Sequence, residues 1–218
     1  MRLSFFLLEH TMRELLPLTG DGESMKSEPT ALLVVDAQRV YTDQKSELYC
    51  PASDKTIENI NSLIDAFSEE KLPIFLIRHV HSVDGSDLGR MFDFGGPAAD
   101  FNFKEGSEEV EYSLTLRRAP AAREIVKHRY SAFQGTDLDE RLRALKVERV
   151  VICGFMTNFC CESTAREAHD RDYYVTFVTE ATGCPALPQM SQEEIREVVA
   201  TLLGAGFATI TDCASFLV

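Results

Sequence analysis

The sequence predicts a single-domain α/β protein with a doubly wound, mostly parallel β-sheet and helices on both faces, and three observations carry that expectation. Runs that are apolar throughout, such as ALLVVD at 31–36 and RVVIC at 149–153, recur along the chain. Strands without polar alternation belong to sheets covered on both faces. Between them lie stretches with apolar residues at helical spacing, such as TIENINSLIDAFSEE at 56–70, the order expected of parallel strands joined by helical crossovers. With 218 residues and 44% hydrophobic content, the chain can build one sizeable core but not comfortably two.

Taken in order, residues 1–28 mix apolar and polar positions without a period and end in the turn-rich GDGESMKSEP, which reads as an extension or linker ahead of a domain at 29–218. ALLVVD supplies the first strand and 56–70 the first long helix, followed by a buried-strand run, LPIFLIRHV, at 72–80. From Ser82 to about Tyr112 the chain is acidic, contains FGGP and lacks a period; it is expected to be a long, functional loop. REIVKHRY (123–130) reads as a short strand, DLDERLRALK (137–146) as a helix and RVVIC as a strand. After the cysteine pair at 160 and 161 come strand YYVTFVTE (173–180), a capped helix SQEEIREVVATLLGAG (191–206) ending in Gly, and strand FATITD (207–212).

Composition narrows the partners. Thirty-five acidic residues against 22 basic give a formal charge of −13, which repels phosphate backbones and anionic lipid surfaces, so neither nucleic acid nor membrane is expected as a partner. The segment MRLSFFLLEH has an apolar stretch too short for a signal-peptide core or a membrane span. Two of the six cysteines are adjacent and the others are scattered, which fits a reduced, cytoplasmic protein better than a disulfide framework.

In doubly wound sheets ligands bind outside the carboxyl ends of the strands. Asp36 ends the first strand, Lys127 lies in the short 123–130 segment, and Cys160 and Cys161 follow RVVIC. CESTAREAHD favours helix, so the cysteine pair is placed at a positive helix end, where a thiol pKa is expected to fall from about 8.5 toward neutrality. Taken singly, each residue has a plainer reading: a buried small hydrophobe for the cysteine, a strand-end cap for Asp36, a solvated charge for Lys127.

The flanking residues weigh against those plainer readings. GFMTNFC, followed by Thr164 and Ala165, places Gly154, Thr157 and Cys160 at the spacing of a strand, Gly, two residues, Thr, two residues and a nucleophilic Cys. DAQRVY supplies Asp36, Gln38 and Tyr41, and KHRYSAFQGT supplies Lys127, Ser131, Ala132, Phe133, Gly135 and Thr136. In these motifs the chain, over about residues 30–215, resembles the isochorismatase-like cysteine hydrolases, which include nicotinamidases, N-carbamoylsarcosine and ureidoacrylate amidohydrolases and isochorismatases.

The resemblance implies the isochorismatase-like hydrolase fold and an Asp36–Lys127–Cys160 triad. It implies an oxyanion site formed by the backbone N–H groups of Met156 and Cys160, with Phe155–Met156 a cis peptide. Gln38, Tyr41 and Phe155 would border the substrate, and Cys161 would occupy a position usually small and apolar. The implied reaction is hydrolysis of a small amide or carbamoyl (ureido) compound through a thioester. The alternatives are vinyl ether hydrolysis, for which relatives typically carry Gly in place of Cys160, and a catalytically silent binding module. Relatives commonly complete the pocket rim at subunit contacts, which implies a homo-oligomer acting on a small-molecule substrate.

Nicotinamidases share an Asp-x-His motif after the second strand and a further His that together bind a divalent metal. Here the stretch is IRHVHSVDG, with Arg78 before His79. His79 and His81 are expected to point to opposite faces and to shape the pocket rim, so no metal and no cofactor is expected and nicotinamide is disfavoured as substrate. No chemistry is assigned to Cys50, Cys153, Cys184 or Cys213. Arg78 and Arg129 are read as ion-pair partners before carboxylate receivers, and substrate choice is placed in the 82–112 loop.

Overall fold

In the computed structural model, residues 28–93 and 101–217 are described. All but Glu28 of the N-terminal segment, and the FGGP part of the long loop, therefore lie outside the described residues. Six strands form one sheet in the order β3-β2-β1-β4-β5-β6: β1 Thr30–Val35, β2 Ile74–His79, β3 Arg123–Lys127, β4 Arg149–Phe155, β5 Tyr174–Gly183 and β6 Thr209–Thr211. Every adjacent pair is parallel. The helices are α1 Arg39–Thr42, α2 Ser53–Glu69, α3 Leu138–Ala144, α4 Glu162–Asp170, α5 Gln192–Gly204 and α6 Cys213–Phe216.

The apolar strands divide their side chains between two cores, as a period of two requires. Leu32 and Val34 of β1 face Ile57, Ile60, Leu63, Ile64 and Phe67 of α2. Ala31, Leu33 and Val35 face the opposite layer, with Leu138 and Leu142 of α3, Ala165 and Ala168 of α4, and Ile195, Val199 and Leu203 of α5. All six residues of β1 are buried, which explains why its sequence shows no polar alternation. The small Ala165 and Ala168, both fully buried, let α4 lie close against the sheet. Helix α5 begins at a capping box in which Ser191 Oγ accepts from Glu194 N–H at 3.2 Å and Glu194 Oε2 accepts from Ser191 N–H at 2.7 Å.

Several boundaries depart from the sequence reading. β3 stops at Lys127, and β4 continues through Phe155, two residues past the predicted RVVIC. The described parts of the 82–112 segment are more ordered than a loop without regular structure. His81 N–H donates to Phe103 O at 2.7 Å, Glu105 N–H donates to His81 O at 2.8 Å, and a short 3₁₀ turn spans Glu108–Val110. Periodicity misses this because the pairing consists of single bridges. Among the described residues, no helix is long and apolar enough to cross a membrane.

Candidate active site

The carboxyl ends of β1, β3 and β4 converge on three polar residues. Asp36 follows β1 in a left-handed conformation, φ 48°, an uncommon one for a residue with a Cβ, and its N–H donates to Ile77 O at 3.0 Å. Beside it, Gly154 has φ 125°, and a Cβ there would overlap the carbonyl oxygen of Val35. Only glycine lets β4 approach β1 this closely. Lys127, the last residue of β3, pairs in register with His79 of β2. After β4 the chain makes a π-helical turn, Thr157–Cys161, that runs directly into α4. Both cysteines thus lie inside a π turn rather than at the first turn of a plain α-helix, an irregularity often found at functional sites.

Lys127 Nζ lies 2.8 Å from Asp36 Oδ2 and 3.2 Å from Cys160 Sγ, and it also donates to Arg129 O at 3.0 Å. Asp36 and Lys127 are fully buried and Cys160 is 2% exposed. Burial pushes the Asp36 carboxyl above its ordinary range against the opposing pull of Lys127. Burial also works against the Lys127 ammonium, but Asp36 and Cys160 outweigh it and hold its pKa above the usual lysine value. The Cys160 thiol is pushed up to about 12 by burial, with Lys127 pulling down and Asp36 pushing up. This corrects the expectation of a thiolate near neutrality: a second buried anion beside Asp36 is disfavoured. The resting site is an Asp36–Lys127 ion pair with a neutral thiol, so a nucleophilic sulfur here would first have to pass its proton on.

The motif residues brace this arrangement. Thr164 Oγ1 donates to Cys160 O at 2.6 Å and accepts Ala132 N–H at 3.0 Å, tying the cysteine turn to the segment after Lys127. Thr136 Oγ1 donates to Ala132 O at 2.6 Å, and Thr157 Oγ1 donates to Thr182 Oγ1 at 3.0 Å. The peptide between Phe155 and Met156 is cis. Cys161 is fully buried among apolar neighbours, and burial raises its thiol well above the ordinary range.

Of the three residues placed at the substrate by the sequence, Gln38 offers no free polar group. Gln38 Nε2 donates to His79 O at 3.0 Å and Val110 O at 2.9 Å, while its Oε1 accepts His79 N–H at 2.8 Å. With its amide occupied by backbone groups, Gln38 braces the end of β2 and the long loop instead. The rings of Tyr41 and Phe155 stack with centroids 5.3 Å apart and both are buried. Sequence reasoning missed Tyr130 and Phe159. Their rings lie 5.3 Å apart, both are partly exposed, and the Tyr130 hydroxyl senses the charges of Cys160 and Lys127.

His79 and His81 do not point apart. Their Nε2 atoms lie 2.9 Å from each other, as alternate residues leaving a strand share a face, and the sequence reading is corrected on this point. His81 Nδ1 lies 3.2 Å from Asp87 Oδ1, and His128 Nδ1 lies 3.1 Å from Asp87 Oδ2. Among the described residues, two sets of donors are close enough to invite a metal: Asp36, His79 and Cys160, and His81, Asp87 and His128. The first already surrounds the Lys127 ammonium. In the second, His128 Nδ1 lies 2.6 Å from Val80 O, which forces that nitrogen to carry a proton and leaves it no lone pair for an ion. As arranged, Lys127 takes up the first set and Val80 O the Nδ1 of His128 in the second. Arg78 is held near Glu111 and Glu124, at 3.6 and 3.8 Å, and Arg129 Nη1 donates to Asp87 O at 2.7 Å.

The family of the isochorismatase domain matches residues 30–214. Nicotinamidase 3 of Arabidopsis thaliana is 30% identical over 199 residues, covering 89% of this chain and 92% of that protein. The ureidoacrylate amidohydrolase RutB of Stutzerimonas stutzeri is 26% identical, covering 92% of this chain and 88% of its own. Among solved structures, a cysteine hydrolase from Pseudomonas syringae pv. phaseolicola 1448A superposes with a TM-score of 0.82 at 30% identity, covering 87% of this chain and 91% of that one.

Proposed function

Since the chain belongs to the isochorismatase family of hydrolases, we propose that it hydrolyses a small amide or carbamoyl (ureido) compound through a thioester on Cys160. The observation that carries the proposal is the contact of Lys127 Nζ with both Cys160 Sγ and Asp36 Oδ2. A nucleophilic sulfur is what acyl transfer needs and vinyl ether hydrolysis does not, and this one has a base and a cation beside it. The relatives named for nicotinamide and ureidoacrylate hydrolysis support the same chemical class.

In the proposed reaction the Cys160 proton passes to the Asp36 carboxylate as sulfur attacks the substrate carbonyl. The oxyanion is received by the backbone N–H groups of Met156 and Cys160. Asp36 returns the proton to the leaving nitrogen, the C–N bond breaks, and ammonia or an amine departs. Asp36 then takes a proton from water, hydroxide adds to the thioester, the C–S bond breaks, and the sulfur regains its proton from Asp36. Lys127 keeps its charge throughout, so the site never carries two buried anions without a cation.

Two further parts of the reading have their own support. A reducing, cytoplasmic setting fits the unpaired state of all six cysteines. A homo-oligomer fits the apolar outer side of α5, where Val198 and Leu202 are 45% and 50% exposed; light scattering tests it. The function itself is tested by screening the purified protein for ammonia release from small amides, ureido acids and nicotinamide. Turnover of an amide or ureido compound that disappears in Cys160→Ala is the expected result. Turnover of isochorismate alone would overturn it.

A further inference from the structure

His79 is 1% exposed, and its buried Nδ1 has no hydrogen-bond partner among the described residues. A ring nitrogen of the same residue lies within 4.8 Å of both an Asp36 carboxylate oxygen and Cys160 Sγ. Its state follows from a chain that begins outside the triad. Asp87 accepts Ser82 N–H on both carboxylate oxygens at 3.1 Å and faces His81 and His128. An ionised carboxylate only accepts, so His81 Nδ1 carries the proton in the 3.2 Å contact. In neutral His81 the Nε2 is then bare and accepts, so His79 Nε2 carries the proton across 2.9 Å. Neutral His79 is left with a bare lone pair on Nδ1.

We propose that His79 is the specificity residue of this site: its bare Nδ1, fixed by the His81–Asp87 chain, accepts an N–H from the amide or ureido group bound over Cys160. The inference rests on the hydrolase reading above and adds the substrate's nitrogen side to it. A buried acceptor left empty is costly, so a ligand that brings an N–H is favoured over one that does not. The groups around His79 keep it an acceptor. Burial and the charge of Lys127 on β3, followed by His81, His128 and Arg129, hold its pKa well below the ordinary histidine range. Asp36 at the end of β1 faces it already paired with Lys127, and the ring of Phe103 stacks on it at 4.6 Å.

Two measurements on the whole protein test this. Nitrogen-15 correlation spectra of the histidine rings should show His79 protonated at Nε2 and His81 at Nδ1, with the pattern mixed in Asp87→Asn, whose amide can both donate and accept. A proton on His79 Nδ1 in the wild type, or an unchanged pattern in Asp87→Asn, would overturn the proposal. The second is labelling of Cys160 by chloroacetamide against methyl chloroacetate, each rate taken relative to glutathione. The wild type should favour the amide on the order of tenfold, with the preference lost in His79→Leu and reduced in Asp87→Asn. An equal preference in all three proteins would overturn it. If His79→Leu fails to fold, the partly exposed Asp87 still gives the comparison. Labelling needs no turnover, so the two claims fail separately: amide hydrolysis without the preference sinks the His79 role alone, and the preference without hydrolysis sinks the proposed reaction.

Discussion

Lys127 Nζ donates to Cys160 Sγ across 3.2 Å, and in this buried setting a single charge governs how easily the sulfur loses its proton. Lys127 is the group that pulls the Cys160 thiol down, while burial and Asp36 push it up. Lys127→Ala should therefore shift the pH dependence of iodoacetamide labelling of Cys160 upward and lower the rate at every pH below the thiol's titration. Turnover should fall on the order of a hundredfold or more. Lys127→Arg should rescue poorly, because a planar guanidinium does not fit between Asp36 and Cys160, which are placed for a compact ammonium. Labelling profiles that match wild type would remove Lys127 from the mechanism.

The adjacent cysteines should separate cleanly. Cys160→Ala should abolish turnover with the fold retained by circular dichroism. Cys161→Val should cost less than about 1.5 kcal/mol in stability and little activity, since Cys161 is a fully buried member of the apolar layer. Comparable activity losses from the two changes would contradict the assignment.

Stability should decline in alkaline solution. Cys160 and Cys50 are pushed from 9.0 to about 12, and Cys213 to about 11, all chiefly by burial. Above pH 9 the unfolded chain has lost thiol protons that the folded chain keeps, so the folded state binds more protons and stability falls as pH rises. The stabilisation is fully present below 9 and is lost as pH approaches the folded values, at up to about 1.4 kcal/mol per pH unit per thiol. Urea midpoints should be level between pH 7 and 8 and drop between 9 and 10.5. A midpoint that holds or rises above pH 9 would contradict the buried, neutral thiols.

Chelation should leave turnover within a small factor. The donors near the triad surround an ammonium, and His128 Nδ1 is committed to Val80 O at 2.6 Å. Activity that vanishes with a chelator and returns with a divalent ion would show that these residues rearrange to take one.

The parts of this site that are legible in the sequence are the end of the apolar run at Asp36 and the motif positions that carry the resemblance, among them Gly154 and Thr164. The structure supplies the reasons for the last two: Gly154 allows the close approach to Val35, and Thr164 ties the cysteine turn to Ala132. What escaped depends on burial and on chain segments far apart. The Cys160 pKa depends on full desolvation beside Asp36, which helix position alone does not reveal. Gln38 was read as facing a ligand because its partners, His79 and Val110, lie 41 and 72 residues away. The His79–His81 contact was within reach, since the period of a strand puts alternate residues on one side, but Asp87 joins them only through the fold of the long loop.

The central claim is that Cys160 becomes acylated during turnover, and acid-quenched mass spectrometry of the protein working on an amide or ureido substrate tests it most directly. The account predicts an acyl adduct on the peptide containing Cys160, absent from Cys160→Ala. Ammonia release in the steady state with no adduct on Cys160, and with turnover retained in Cys160→Ala, would contradict it.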